Sequence, residues 1–480
     1  MPSCSTLGAV SRTFIGARLR RLREEHGLTQ VALARALDLS TSYVNQLEND
    51  QRPVTVAVLL SLTDKFNLPP HFFTPDSDAR LVADLRESLG ESQVSSFQIE
   101  EMAARMPDVG QAVIALHRRL SAASAELEVL RGHASGDQKP DGAPPMPFEE
   151  VRDFFYDRKN YLDELDRTAE ALFDSHGMRV GELDLQLADL IAAELGITVM
   201  FDDVETLGVQ TKRRYRVESQ TLHIARWLSP GQRAFQMATQ FALLTQSDLF
   251  TATIATDESL SPEAREVARI GLANYFAGAL LLPYRQFLTA AEALRYDIDR
   301  LARRFEVGFE TICHRLSSLQ RPAARGIPFI FVRADAAGNI SKRQSATAFH
   351  FSRVGGSCPL WVVHRAFNRP GEFITQVAQM PDGRSYFWIA RTTNSSPSRY
   401  LGQRKSFAIG LGCELAHAAK LVYSAGIDLQ NEEAQVPIGA GCKVCDRPSC
   451  AQRAFPYIGR PVHVDPHTSS DLPYPSTPMG

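Results

Sequence analysis

The chain has 480 residues, enough for about three domains at ~150 residues each and for several buried cores. Its 52 Lys+Arg against 55 Asp+Glu leave a formal charge of -3, so it is not a bulk polyanion binder and any nucleic-acid surface must be local. With 44% apolar and 22% charged residues it is not a disordered chain. It has no run of about 18 apolar residues and no apolar signal segment at its start, so no membrane contact is expected and a cytoplasmic location is.

Residues 11–75 read as five short helices. Ile15, Leu19 and Leu22 recur at helical spacing until Gly27. Thr29 suits the N-cap of a second helix that carries Leu33, Ala34 and Leu37 inward. Ser40 suits the cap of a third, 41–49, with Val44 and Leu47 inward, and Thr55 opens a fourth. Two helices joined by the tight turn Asp38-Leu39-Ser40, the second polar outside, make a helix-turn-helix. Its outer face holds short neutral hydrogen-bonding side chains, suited to base edges and phosphates of a double-stranded operator. The candidate DNA contacts are Gln30, Thr41, Ser42, Tyr43, Asn45, Gln46, Asn49 and Arg52, with Arg12, Arg18 and Arg20 as further phosphate partners. The alternative is a helical bundle used for protein contacts. Leu28-Thr29-Gln30-Val31-Ala32-Leu33-Ala34 and Ser42-Tyr43-Val44-Asn45-Gln46-Leu47-Glu48 resemble the Xre/Cro-type helix-turn-helix of phage and bacterial repressors.

Residues 80–128 read as amphipathic helix, with one stripe at Leu81, Leu85 and Leu89 and another at Val113, Leu116 and Leu120. Such stripes either join two subunits, giving a homodimer matched to a palindromic operator, or pack on the chain's own core. Gly132 to Pro147 has the Gly/Pro/Asp/Ala composition of a linker.

A new domain opens near Phe148. Phe155, Tyr156 and Tyr161 beside Arg158 could stack an adenine and hold phosphates, or simply form an amphipathic helix. Leu183–Leu195 reads as helix, and 197–201 and 221–224 as strands. Ser229-Pro230 starts a helix running to Leu243, and Ala273 to Pro283 forms a second apolar segment. The pair resembles the two signature helices of ImmA/IrrE-type metallopeptidases, whose first helix carries His-Glu-x-x-His for zinc and general-base chemistry. Here Thr239, Gln240 and Leu243 stand at those positions, and Leu272 at the third-ligand position. None of these can hold zinc, and Gln240 is no base near neutral pH. The expected domain is a degenerate zincin-like α+β scaffold, not an enzyme, with a cleft free to take a small ligand. Arg226, Arg233, Gln240 and Tyr275, near these helices, complete the candidate ligand-binding set. The alternative is an active zinc metallopeptidase whose site is misaligned.

Residues 293–319 read as two helices broken near Val307-Gly308. Strand signals dominate from Pro328 on, with Phe373–Val377 pairing Phe387–Ala390 across Pro381-Asp382-Gly383. Cys442-Lys443-Val444-Cys445 is a C-x2-C, Cys450 follows four residues later, and Cys413 lies upstream. These four are the candidate metal ligands, with Cys358 a possible substitute; four thiolates suit zinc or an iron–sulfur cluster equally. The expected architecture is multi-domain, mainly α with α+β. It comprises an all-α helix-turn-helix domain (1–78), a helical connector and linker (79–147), the zincin-like domain (148–325) and an α+β cysteine domain (326–480).

The whole arrangement resembles short-chain fatty acyl-CoA-sensing transcriptional regulators of the PrpR/RamB type. The resemblance also draws on Ser341-Lys342-Arg343-Gln344-Ser345-Ala346, Gln379-Met380-Pro381-Asp382-Gly383-Arg384 and Pro437-Ile438-Gly439-Ala440-Gly441-Cys442. It implies a [4Fe-4S] cluster on the cysteines, a short-chain acyl-CoA effector in the middle domain, and control of methylcitrate-cycle or glyoxylate-shunt genes.

Overall fold

A computed structural model describes residues 16–49, 51–66, 76–89, 94–117, 119–120, 147–208, 210–347, 349, 357–394, 405–457, 467, 469 and 471–472. The expected linker up to residue 146, and Arg12, lie outside these. The chain forms two compact units, residues 1–121 and 122–480.

In the first unit, helices Gly16–Glu25, Gln30–Leu37, Thr41–Glu48 and Val56–Lys65 surround Leu19, Leu22, Leu33, Leu37, Val44, Leu47 and Leu62. Among the described residues these are four helices over 11–75, not five. Thr29 and Ser40 cap their helices as expected, accepting from the Ala32 and Tyr43 backbone N–H groups at 3.2 and 3.1 Å. Helices Asp76–Leu89, Ser96–Arg105 and 107–117 bury Leu81, Leu85, Ile99, Ala103 and Ile114 together. The first leucine stripe is thus consumed by packing inside the unit. Leu116 and Leu120 of the second are 61% and 66% exposed.

The second unit opens with helices Pro147–Asp157, Asp163–Ser175 and Leu183–Leu195. Strands β1 (Thr198–Asp202), β2 (Arg213–Arg216) and β3 (Thr221–Ala225) form a sheet of order β1-β3-β2, with β1 parallel and β2 antiparallel to β3. Helices Pro230–Thr245 and Pro262–Leu281 pack against each other, followed by Tyr284–Ala293, Ile298–Phe305 and Phe309–Leu316. Six further strands follow: β4 (Ile330–Ala334), β5 (Ile340–Ser345), β6 (Ile374–Gln379), β7 (Ser385–Asn394), β8 (Ser406–Glu414) and β9 (Val436–Pro437). They form one sheet of order β5-β4-β8-β7-β6-β9. The β6/β7 hairpin has the expected pairing, with Val377 opposite Phe387 and Ile374 opposite Ala390.

Strand alternation gives this sheet two faces. Phe331, Phe387, Ile389, Ile409 and Leu411 point to a near face and join the core of the preceding helices. Ile330, Val332, Tyr386, Trp388 and Ala408 point to a far face with a separate cluster around Trp361. The expected boundary at residue 325 therefore crosses one continuous core. Among the described residues no helix is long and apolar enough to cross a membrane.

Candidate functional site

The first site is the Thr41–Glu48 helix. Its outer residues Thr41, Ser42, Asn45 and Asn49 are exposed, while Tyr43 and Gln46 are half-buried. Glu48, only 3% exposed, anchors the helix: it accepts from Arg23 Nε at 2.6 Å and Gln30 Nε2 at 2.8 Å. Gln30 is therefore turned inward to Glu48 rather than presented to a phosphate. Asn49 donates to Asn45 Oδ1 and accepts from Arg20, both at 2.9 Å, and the Arg52 guanidinium stacks 4.9 Å from the Tyr43 ring centre. Thr41, Ser42 and Asn45 form the exposed edge of the helix, with Gln46 half-buried. Glu48 escaped the sequence reading because a carboxylate at a helix end looks like a solvated charge until Arg23 and Gln30 close on it.

In the second unit, Ser229 and Gln232 form a capping box that starts the Pro230–Thr245 helix. At the peptidase positions, Thr239 donates to the Phe235 carbonyl at 2.7 Å and to Asn274 Oδ1 at 3.4 Å, and Gln240 accepts from Arg213 Nε at 3.2 Å. Leu243 packs on the core and Leu272 is fully buried. No three His, Cys, Asp or Glu side chains among the described residues converge as a metal site.

Beside these helices lies a cavity of about 380 Å³, within the range of small-molecule sites. Phe235, Gln236, Asn274 and Gly278 line it from the two signature helices; His314 and Arg315 come from the Phe309–Leu316 helix, and Arg333 and Lys342 from β4 and β5. Arg333 and Lys342 are cross-strand neighbours on the near face. Lys212, Arg315, Arg333 and Lys342 face the single carboxylate Glu310, which already pairs with Arg333 at 3.0 Å. Burial, reinforced by Lys342, Arg315 and Arg333, holds His314 well below the ordinary histidine value. Burial also lowers Lys342; Glu310 opposes this and Arg333 adds to it.

Under the cavity floor Asp166 is wholly buried. It accepts from Tyr275 Oη at 2.8 Å, from Arg315 at 2.6 and 3.1 Å, and from Arg321 at 3.2 Å. Glu170 takes the second Arg321 contact at 2.8 Å, so two guanidinium groups meet two carboxylates. Burial, then the Asp166 charge, pushes Tyr275 well above the usual tyrosine value, so it stays a hydrogen-bond donor.

Of the eight residues expected to bind ligand, only Tyr275 lines this cavity. The others are committed within the fold. Phe155 fills the space beside Gly271; Tyr156 donates to the Thr347 and Phe349 carbonyls at 3.4 and 3.2 Å. Arg158 sits 3.8 Å over the Phe154 ring. Tyr161 donates to Asp163 at 2.6 Å and accepts from Arg321 at 3.0 Å. Arg226 donates to the Phe201 carbonyl at 2.9 Å, and Arg233 pairs with Asp184 at 2.7 Å. Gln240 is held by Arg213. The sequence reading missed His314, Arg315, Arg333 and Lys342, which a strand crossing brings to the helices. The only signal was the quoted Ser341–Ala346 stretch.

The thiols lie on the other face. Cys358 belongs to the far-face cluster with Trp361, Trp388 and Ile438. Burial raises its thiol, and Cys445 and Cys442 raise it further. A Cβ on Gly439 would lie 2.6 Å from Cys445 Sγ, so only glycine leaves room there. Arg453 ties the loop, donating to the carbonyls of Cys442, Cys445 and Arg447 at 3.0, 2.9 and 2.6 Å. Half-buried Cys450 is joined to the same arginine through its backbone. Cys413 is not with them. It sits on β8 opposite Phe387, within the near-face core, and the sheet separates it from the loop. Cys413 is therefore removed from the candidate ligands and Cys358 takes its place. The four thiols are soft donors of the kind a thiolate-bound metal needs, with a glycine against one of them, but as they stand here no three of them converge on one point.

Three family profiles match along the chain: a helix-turn-helix domain over 15–71, an IrrE N-terminal-like domain over 192–317, and the C-terminal part of a short-chain fatty acyl coenzyme A regulator over 318–474. The chain is 65% identical to the HTH-type transcriptional regulator PrpR of Mycobacterium tuberculosis, over 97% of this chain and 96% of that one. It is 48% identical to the transcriptional regulator RamB of the same species, over 97% and 99%. It is 42% identical to the propionyl-CoA carboxylase regulator of Cereibacter sphaeroides, over 96% and 98%. A solved structure of a Mycobacterium tuberculosis transcriptional regulator, 66% identical, superposes with a TM-score of 0.67, covering 69% of this chain and all of that one. Helix-turn-helix head, IrrE-like core and regulator-type C-terminal domain thus define a transcriptional regulator rather than a peptidase. The chain belongs to the PrpR/RamB family of short-chain fatty acyl-CoA regulators.

Proposed function

We propose that the protein is a cytoplasmic, homodimeric regulator that binds operator DNA through Thr41, Ser42, Asn45 and Gln46, and senses a short-chain acyl-CoA. The observation that carries this is the cavity beside Asn274, where Lys212, Arg333 and Lys342 line the space with one carboxylate, Glu310, while the fourth cation, Arg315, is already paired with Asp166. Such an excess suits the phosphates of coenzyme A, while Leu228, Phe235 and the open space at Gly278 suit a short acyl chain. The relative named for propionyl-CoA carboxylase supports a link to propionate or acetate genes, the methylcitrate cycle or glyoxylate shunt among them. The exposed Leu116 and Leu120 supply the apolar face for a second copy.

Cys358, Cys442, Cys445 and Cys450 would hold a [4Fe-4S] cluster, which adds one-electron redox chemistry when bound. The chain's own part is to fix the loop through Arg453 and keep solvent off Cys358. Zinc on the same thiolates is the second reading.

Calorimetry with propionyl-CoA, paired with gel-shift on the operator, tests the effector assignment. Arg333→Met should weaken binding by about tenfold or more, the worth of a charged hydrogen bond. Heat that is unchanged in that variant would move the effector elsewhere.

A further inference from the structure

The stretch Ser341–Ala346 carries a group, Lys342, that can do more than attract the phosphates of the effector. Lys342 projects from β5 into the cavity, across the strand pair from Arg333. Arg333 holds Glu310, the cavity's carboxylate, at 3.0 Å. Among the described residues the Lys342 ammonium has no hydrogen-bond acceptor; it meets the Phe331 ring at 5.8 Å. His314 packs on that same ring, centroid to centroid 5.7 Å. An amine and an imidazole thus pack on one buried ring, and both line the space assigned to an acyl thioester.

We propose that Lys342 is an acyl acceptor, modified by the bound effector itself; this rests on the effector reading above. The neutral amine attacks the thioester carbonyl with its lone pair, forming a C–N bond. The tetrahedral adduct collapses, the C–S bond breaks, and the sulfur leaves with the electron pair as coenzyme A thiolate. The proton lost by nitrogen passes to His314 and then to the thiolate, leaving an amide and free coenzyme A. No oxidant, metal or second substrate is needed. The event is stoichiometric, one acyl group per chain, not turnover.

Two features favour it. Burial lowers the cost of deprotonating Lys342, opposed by Glu310 and aided by Arg333, and His314 is kept neutral and able to take a proton. Holding amine and thioester in one cavity also replaces a bimolecular encounter by an intramolecular one. The product removes one of the three cations not already held by Asp166, so a modified chain should bind coenzyme A about tenfold more weakly. A regulator so marked would stay desensitised after a period of high acyl-CoA.

The experiment is to incubate the full-length protein with propionyl-CoA, follow intact mass, and map the peptides. The expected result is a single propionyl group on Lys342, formed at least about tenfold faster than on any exposed lysine. Lys342→Arg should lose this fast phase. His314→Gln should slow the transfer step measured at saturating propionyl-CoA, with the loss fading at the low-pH end of the profile, where a protonated imidazole can no longer take the proton. Adducts spread evenly over surface lysines, or a fast phase surviving in Lys342→Arg, would overturn the proposal. A non-transferable thioether analogue, titrated by calorimetry, separates the two readings. If it binds while propionyl-CoA leaves Lys342 unmodified, the acceptor role fails and the effector reading stands; if it does not bind, both fall.

Discussion

The two faces of the six-stranded sheet are built from the same strands, yet they do different chemistry. On the near face Phe331, Ile409 and Leu411 continue the core of the IrrE-like helices, and Arg333 and Lys342 reach out of it into the cavity. On the far face Trp361 and Trp388 meet edge-on at 4.7 Å, and Cys358 is drawn toward the Cys442–Cys450 loop. One residue's step along a strand moves a side chain from one chemistry to the other. The sheet is thus a partition between a charged, ligand-sized space and a thiol-rich one, and a residue's role follows its parity rather than its type.

The sharpest way to break this comparison is to exchange the roles of two cysteines. In anaerobically purified protein, Cys358→Ala should abolish the visible charge-transfer absorption expected of the proposed cluster altogether. Cys413→Ala, across the sheet, should keep it. Absorption lost in Cys413→Ala and kept in Cys358→Ala would reverse the assignment of faces.

Next in size is the charge network under the near face. Asp166→Asn keeps the shape but leaves Arg315 and Arg321 sharing one carboxylate fewer, and should cost about 3–5 kcal/mol, read from the urea midpoint. A loss under ~1 kcal/mol would mean that water reaches these groups.

Two glycines sharpen the contrast further. A Cβ on Gly412 would lie 2.7 Å from the Trp388 ring on the far face, so Gly412→Ala should destabilise by about 1–3 kcal/mol. A Cβ on Gly278 meets nothing within 4 Å and enters the cavity, so Gly278→Ala should leave stability intact or raise it by ~0.5–1 kcal/mol. It should also penalise the longer acyl chains in calorimetry. Equal effects at both sites would show that the cavity is filled in the folded chain.

What could be read beforehand divides along the same line. The repressor-type helices were legible because their signals are local: Thr29 and Ser40 at caps, and Leu33, Leu37, Val44 and Leu47 at helical spacing. The loss of the peptidase set was legible because it needs only Thr239, Gln240, Leu243 and Leu272 in line with a known pattern. Strand β2 was not, since Arg213, Arg214 and Arg216 mask the alternation that marks a strand. The face of Cys413 was not, because Ala408, Gly410 and Gly412 alternate with Ile409 and Leu411 without any polar residue to mark a side. The cavity was not, because Gly231 and Lys342 are joined only by tertiary packing.

The smallest effect concerns pH. His314 titrates near its ordinary ~6.5 in the unfolded chain and well below that in the folded one. The unfolded state therefore takes up the proton first as pH falls. The contribution of His314 to stability is complete above ~6.5 and is lost below it, by at most about 1.4 kcal/mol per pH unit until the folded value is reached. His314→Gln removes the titration, so its urea midpoint should fall less steeply between about pH 6.5 and pH 5 than that of the parent chain. The far face offers a control: Trp388→Phe changes packing without changing charge and should shift both ends of that range alike. Parallel curves for His314→Gln and its parent would place the imidazole in contact with water. The near face would then be wet where His314 lines the cavity, and the partition between the two faces would be weaker than its packing on Phe331 implies.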